Sequence, residues 1–349
     1  MGEETSTESQ LSVVMTTDQG ETTPATGETS SSSRGVAVYF ESFVLVIGVI
    51  GTAANGLILY ALVASKQHKK HVLIVNQNAL DLYSCLFLVI TYGSKLANMQ
   101  LKGSFGHWLC MFILSENLLW CGLCASFVNL TLISIERYLK VVHAVWSKTK
   151  VRKWMIYSAM AFAWISGFVH IMVAGFFTNA VVDGVCLAYA IWENSESRLA
   201  WGIFFLVDTY IIVILIFTFC YGKILMAIRR QARVMASHNP AGSSSTQTQS
   251  NKIQTNVIKT MILVCAFYAI AWLPENIYFT LICLDLHLTA LDNAYYATMF
   301  IAFLYICTYV IRYRHQGCRP KFYKRMIYLI LVEFSQTGQL YPAFTTTKQ

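Results

Sequence analysis

Charge is scarce in this chain: 13% of its 349 residues are Asp, Glu, Lys or Arg, while 56% are hydrophobic. Soluble domains carry about twice that charged fraction, so the scarcity argues against one. The features of a cleavable signal peptide are also lacking, since residues 1–35 have neither a basic start nor an apolar stretch. No internal repeat is visible, so the inverted-repeat signature of many transporters is missing. Ten cysteines are present, but Cys121-x-x-Cys124 lies in an apolar segment without a second such pair. A metal or redox site is therefore not expected there. No spacing converges a nucleophile, a base and a metal cluster as an intramembrane enzyme would need, and no cofactor is expected.

What remains is acidic tail and apolar span. Residues 1–35 are Ser/Thr-rich, with Glu3, Glu4, Glu8, Asp18, Glu21 and Glu28 against Arg34. That composition cannot build a core, so a disordered tail is expected. Met1-Gly2 with Ser6 fits the loose myristoylation pattern, but the acidic residues after Gly2 argue for chance. Apolar segments follow at 36–64, 72–97, 107–141, 153–178, 199–230, 257–284 and 291–313. Each exceeds the roughly 20 residues that span a bilayer as helix. The expected fold is all-α: a seven-transmembrane helix bundle over 36–318. The links are short except 231–256, rich in Ser, Thr, Gln and Asn. In 319–334, Phe322, Met326, Leu329 and Ile330 accompany basic Lys321, Lys324 and Arg325. That pattern suits a short interfacial helix, with 335–349 as a cytoplasmic tail.

Basic residues orient the bundle. Lys66, Lys69, Lys70, Lys148, Lys150, Arg152, Lys153, Arg229, Arg230, Arg233 and Lys252 fall on one set of connections. Arg312, Arg314, Arg319, Lys321, Lys324 and Arg325 follow the last span on that side. The other side has Arg34, Lys95, Lys102 and Arg198. Lys and Arg stay cytoplasmic, so the expectation is a multi-pass plasma-membrane protein with its N-terminus extracellular. The net charge of +8 is then inner-face bias that suits anionic membrane lipids rather than nucleic acid.

Cys85, Cys121, Cys124, Cys220, Cys265 and Cys307 lie inside spans and are expected to pack as small apolar residues. Cys110 and Cys186 face the outer, oxidising side, where a disulfide persists; Cys283 is a competitor. Cys318 is a palmitoylation candidate or a free thiol. Ser243, Ser244, Ser245, Thr246, Thr248 and Ser250 form a phosphorylatable stretch or a plain polar linker. The sequon Asn129-Leu130-Thr131 falls inside span three and is expected to be unmodified.

The third span ends Ile135-Glu136-Arg137-Tyr138-Leu139, which resembles the Asp/Glu-Arg-Tyr motif of rhodopsin-like (class A) G-protein-coupled receptors. Gly51 through Asn55 in span one, Asn76 and Asp81-Leu82 in span two, Trp164, Tyr221 and Trp272-Leu273-Pro274 are similar to that family's marks, in order and on the right spans. Cys110 and Cys186 match its disulfide. The resemblance covers about residues 36–330. It implies coupling to a heterotrimeric G protein, with arrestin as a further partner of the inner face.

Within that resemblance, Glu136 and Arg137 neutralise each other at the hydrocarbon edge; on the residues alone, a plain helix-end ion pair is the alternative. Release of Arg137 and outward movement of span six open an inner cleft, where Tyr221 and Tyr309 form hydrogen bonds. Pro274 kinks span six, and Trp272 senses the ligand above. Departures are several. Tyr305-Ile306-Cys307-Thr308-Tyr309 stands where Asn-Pro-x-x-Tyr is usual, and Gln77 replaces a leucine. Val213 replaces a proline and Tyr268 a phenylalanine. The spacing from Cys110 to Arg137 is long, which implies a bulge or a shifted disulfide. Asp81 and Ser126, with Asn55 nearby, remain of a polar core that holds sodium in the family, but Ile301 and Tyr305 replace other partners. Weak or absent sodium binding is expected, together with raised basal signalling. Retinal attachment is excluded, because no lysine lies between Lys259 and Lys321.

Ionisable residues inside spans are costly and usually functional. Here they are Lys95, Glu116, Asp208 and Glu275, with His170 and Asn276 nearby. Three carboxylates against one lysine favour a cationic ligand; internal pairing, such as Lys95 with Glu116, is the alternative. The expected pocket adds Leu119, Leu123, Trp272, Phe279 and Tyr296, with Trp120 and Tyr295 as further aromatics. Leu119 stands where aminergic receptors carry aspartate, which argues against a monoamine. The ligand is open between a peptide, a cationic small molecule and a chemosensory compound. A transporter or channel, which predicts repeats and a charged path, is the reading from another class.

Overall fold

A computed structural model describes residues 15–16, 27–64, 72–98, 101–188, 192, 194–238, 245–284 and 293–307. Tyr309, Cys318, Ser243, Ser244, the expected interfacial helix 319–334 and the tail 335–349 lie outside the described residues. In chain order the elements are β1 (Met15–Thr16), α1 (Gly27–Ala64), α2 (Val72–Leu96), α3 (Gly103–Leu109), α4 (Asn117–Val142), α5 (Ala144–Lys150) and α6 (Lys153–Thr178). Then come β2 (Ala180–Val182), β3 (Val185–Ala188), α7 (Ser195–Leu206), α8 (Ile212–His238), α9 (Ser245–Cys283) and α10 (Asn293–Cys307).

Hydrocarbon offers the backbone no hydrogen bonds, so apolar segments of this length close their own as helices. Among the described residues, six stretches are long and apolar enough to cross a bilayer: Gly35–Ala64, Val72–Leu96, Gly103–Val142, Lys153–Thr178, Ser195–Gln231 and Ile262–Cys283. The seventh span is α10, whose 15 residues are the described part of 291–313. Helix α1 begins at Gly27, and β1 is a strand, so parts of the expected tail carry secondary structure. Likewise α8 runs to His238 and α9 starts at Ser245, so the polar link expected over 231–256 is helical at both ends. Extending an existing helix costs far less than nucleating one, which lets polar residues continue apolar spans.

Helix α4 is the most enclosed span and packs on α2, α6 and α8. Glycines permit that approach. A Cβ on Gly167 of α6 would stand 2.5 Å from the Cys121 carbonyl oxygen and 2.6 Å from the Ala125 nitrogen, so the two backbones touch, as small residues allow between membrane helices. Below the outer third, Trp272, Tyr268, Phe303, Leu80, Leu88 and Ile224 are fully buried.

Two spans are interrupted. In span three, a π-turn over Cys110–Leu114 follows α3, and Glu116 then adopts a left-handed conformation with φ of 63°. Side chains take up the carbonyls this break frees. Ser115 Oγ and Asn117 Nδ2 each donate to the Met111 oxygen at 2.8 Å, and Thr91 Oγ1 donates to the Ile113 oxygen at 3.2 Å. The break holds the extra length between Cys110 and Arg137, and Cys110 still bonds Cys186. Of the two explanations for that spacing, the bulge is the one present. In span five, a π-turn over Val207–Ile211 joins α7 to α8.

On the outer side β2 and β3 form an antiparallel hairpin pairing Val181 with Cys186 and Val182 with Val185. Its turn is Asp183-Gly184, with φ of 52° and 80°; positive φ at both central residues suits the right-handed strand twist. Strand β1 adds to the other edge of β3.

Candidate functional site

The hairpin overhangs a cavity of about 1100 Å³, counting the solvent in its mouth. The break in span three forms one wall. Glu116 accepts a hydrogen bond from Lys95 Nζ at 2.6 Å and from Tyr92 OH at 2.9 Å, all on Oε1. The Lys95 and Glu116 side chains are 18% and 9% exposed, so this ion pair is largely withdrawn from water. Left-handed backbone is costly for a residue with a Cβ; the pair with Lys95 and the bond from Tyr92 anchor Glu116 there. Cys186 and Val185 supply the roof. Trp120, Trp201, Phe205, Phe279 and Tyr295 supply aromatic walls, and Glu275 enters from α9. Glu275 is 4% exposed, and its Oε2 is buried with no hydrogen-bond partner among the described residues.

The residues expected in the pocket divide. Lys95, Glu116, Glu275 and Phe279 line the cavity, with Trp120 and Tyr295. Leu119 and Leu123 belong to the apolar core, and Trp272 is wholly buried among aromatics. Asn276 donates from Nδ2 to the Trp272 carbonyl at 2.9 Å and accepts from Thr209 Oγ1 at 3.2 Å. Tyr296 packs on Phe40 of α1, rings 4.8 Å apart. His170 and Asp208 pair with each other, Nδ1 to Oδ2 at 3.3 Å, away from the cavity lining. Sequence reasoning missed Tyr92, Trp201 and Phe205. Tyr92 had a signal, since it lies three residues before Lys95 and so on the same helix face. The Asp-Gly between Val-rich runs was the missed signal for the hairpin.

Deeper in the bundle is a polar network. Asp81 Oδ1 accepts from Ser126 Oγ at 2.8 Å and from Gln77 Nε2 at 3.2 Å, and Gln77 Nε2 also bonds Ser126 Oγ. Asn129 Nδ2 donates to Gln77 Oε1 at 2.8 Å and to the Leu73 carbonyl at 3.0 Å. Asn76 Nδ2 donates to Asn129 Oδ1, and Trp164 Nε1 to Asn76 Oδ1. Asn55 Nδ2 approaches Cys85 Sγ at 3.6 Å. The donors on Asp81 Oδ1, an N–H and an O–H, occupy an oxygen that a cation would otherwise use. Ile301 turns an exposed face outward and takes no part. Among the described residues, no three His, Cys, Asp or Glu gather as metal ligands. Asn129 is fully buried and bonded, as expected of a sequon inside a span.

Spans five and six are tied at the second π-turn. The Tyr268 hydroxyl donates to the Thr209 carbonyl within that turn, and Tyr210 OH donates to the Ala269 carbonyl at 2.8 Å. A π-turn shifts the helical ladder and leaves carbonyl capacity free, which the Tyr268 hydroxyl uses. Trp272 stands at the centre, its ring 4.7 Å from Phe127, 6.1 Å from Trp120 and 6.4 Å from Tyr305.

Residues 54–310 match the 7 transmembrane receptor (rhodopsin family). The chain belongs to that family. It is 27% identical over 312 residues to C-C chemokine receptor type 8 of Mus musculus, covering 84% of this chain and 80% of the relative. It is 22% identical over 307 residues to the allatostatin-A receptor of Bombyx mori, covering 83% and 76%. It is 21% identical over 294 residues to galanin receptor type 1 of Rattus norvegicus, covering 81% and 78%. This rhodopsin-family chain is thus a multi-pass membrane G-protein-coupled receptor, of a family of receptors rather than enzymes.

The receptor's inner motif differs from expectation in one respect. Glu136 does not pair with Arg137; it accepts from Lys140 Nζ at 2.6 Å. Adjacent helical residues point apart, whereas Glu four residues before Lys is a favourable pairing. Arg137 has no ion pair with any described residue, and its Nε is buried without a partner. Nearby, Tyr221 OH lies 3.1 Å from Ser134 Oγ, and Tyr138 OH lies 3.0 Å from His143 Nε2.

Proposed function

We propose that this receptor takes an extracellular peptide into the outer cavity and passes the signal to a heterotrimeric G protein on the inner face. The observation that carries this reading is continuity of aromatic contact. Trp120 lines the cavity and also packs on Trp272, two residues before Pro274 within α9. A ligand pressing on Trp120 thereby bears on the pivot of span six. Two ligands on opposite faces then bias one bundle between two arrangements, which is what coupling requires. The names of the chemokine, allatostatin and galanin receptors support a peptide. A cationic small molecule is the second reading, favoured by Glu275; a chemosensory compound has no such observation behind it.

In this arrangement the N-terminus is extracellular and the basic connections face the cytoplasm, beside anionic lipid. Glu136, Arg137 and Tyr138 belong to the surface that receives the G protein and, after it, arrestin, with Tyr221 buried beside Ser134. Arg137 is the contact residue, because its side chain is not committed to a carboxylate within the described bundle. Membranes carrying the receptor without added ligand are expected to drive nucleotide exchange on at least one class of heterotrimeric G protein. Arg137→Ala membranes with equal receptor content should fall to the background of receptor-free membranes. Equal exchange from both would overturn the coupling role of Arg137.

A further inference from the structure

We infer that Glu275 is the acceptor for a positively charged group of the ligand, an arginine or lysine side chain or a free amine, and that Lys95 and Glu116 form a brace rather than a second charge-reading site. This rests on the outer cavity's being the ligand site. Of the cavity's charges, Lys95 and Glu116 already satisfy each other at 2.6 Å, with Tyr92 on the same oxygen. They bind the outer end of span two to the left-handed residue at the break in span three. Glu275 differs in both respects. It is nine-tenths buried, it lines the cavity, and its Oε2 meets no hydrogen-bond donor among the described residues.

A buried carboxylate without donors destabilises a fold, and its replacement by a neutral side chain relieves that cost. Groups kept at such a cost are commonly the ones that bind or react, since function trades against stability. The surroundings state what would satisfy it. Phe279 stands four residues on, one turn along α9, and Phe205 packs on Phe279, rings 5.3 Å apart. Trp120 and Tyr295 complete an aromatic setting, where a cation is held by the carboxylate and by ring faces together. With the brace neutral, Glu275 is the uncompensated acidic group among the described residues that line the cavity. An anionic ligand would have to bury its charge beside it and is disfavoured.

The test uses the purified full-length receptor and two probes, N-acetyl-phenylalanyl-arginine amide and its citrulline counterpart, in which a neutral urea replaces the guanidinium at equal size. Thermal unfolding is followed over probe concentrations up to the millimolar range. The arginine probe is expected to stabilise the natural receptor and to bind it at least about tenfold more tightly than the citrulline probe, as loss of a charge-assisted bond implies. Glu275→Gln should abolish that preference and raise the melting temperature without probe. Asp208→Asn, which removes an acid outside the cavity, should keep the preference. Equal action of the two probes, no stabilisation by the arginine probe, or a preference that survives Glu275→Gln would each overturn the inference. No G protein enters the measurement, so its failure is distinct from a failure of coupling.

Discussion

Lys95→Met is expected to lower receptor stability by about 3 kcal/mol, and adding Glu116→Gln should restore most of that loss. Breaking a buried ion pair from one side leaves an uncompensated charge, which typically costs 3–5 kcal/mol, while removing both charges is often nearly neutral. The lower end applies because Lys95 retains 18% side-chain exposure. Tyr92 OH would remain as a single donor to Glu116, and the left-handed backbone at 116 would lose its main anchor. The non-additivity is the informative quantity, since two groups in contact couple where distant ones add. Apparent melting temperatures of the four forms, purified in one detergent, supply the cycle. If the double variant is as unstable as the sum of the singles, Lys95 and Glu116 do not act as a brace.

The bundle was legible in the sequence because a bilayer sets a length scale that apolar runs must meet; every expected span has its helix. The outer disulfide was legible through the family pattern carried by Cys110 and Cys186. The break in span three was half legible. The long interval from Cys110 to Arg137 announced an irregularity, but a count along the chain cannot say whether residues are looped out or a bond has moved. Side-chain partners were harder still. Helical spacing places Leu119, Leu123 and His170 toward the outer half of the bundle but not against a given neighbour. Rotation and tilt decide that Leu119 packs in the core while Trp120 meets the cavity. Tyr268 shows the same limit. As a departure from phenylalanine it suggested a slacker bundle and raised basal signalling, yet its hydroxyl adds a bond from span six to span five. If basal signalling is high, its cause lies elsewhere than in a loosened contact at Tyr268.

Gln77→Leu restores the leucine usual in the family, and it is nonetheless expected to destabilise this receptor by about 2 kcal/mol. Gln77 joins Asp81, Ser126 and Asn129 through its amide. Single side-chain hydrogen bonds between membrane helices average only about 0.6 kcal/mol, so the two that reach Ser126 and Asn129 of α4 account for about half of the figure. The remainder comes from a buried carboxylate that loses a donor. The same geometry predicts how the natural chain responds to salt. Gln77 directs N–H toward Asp81 Oδ1 at 3.2 Å, so an internal amide occupies that carboxylate oxygen. Thermal stability should therefore be equal in sodium chloride and in choline chloride of matched ionic strength. A ligand that binds only the folded state raises stability with its concentration, so a higher melting temperature in sodium for the natural receptor would refute the amide's role. Gln77→Glu offers the opposite control. It keeps the length of the side chain but replaces the donor with an acid beside Asp81, and two buried carboxylates at that distance repel unless a cation or a proton separates them. That variant, unlike the natural chain, is expected to gain stability as sodium is added.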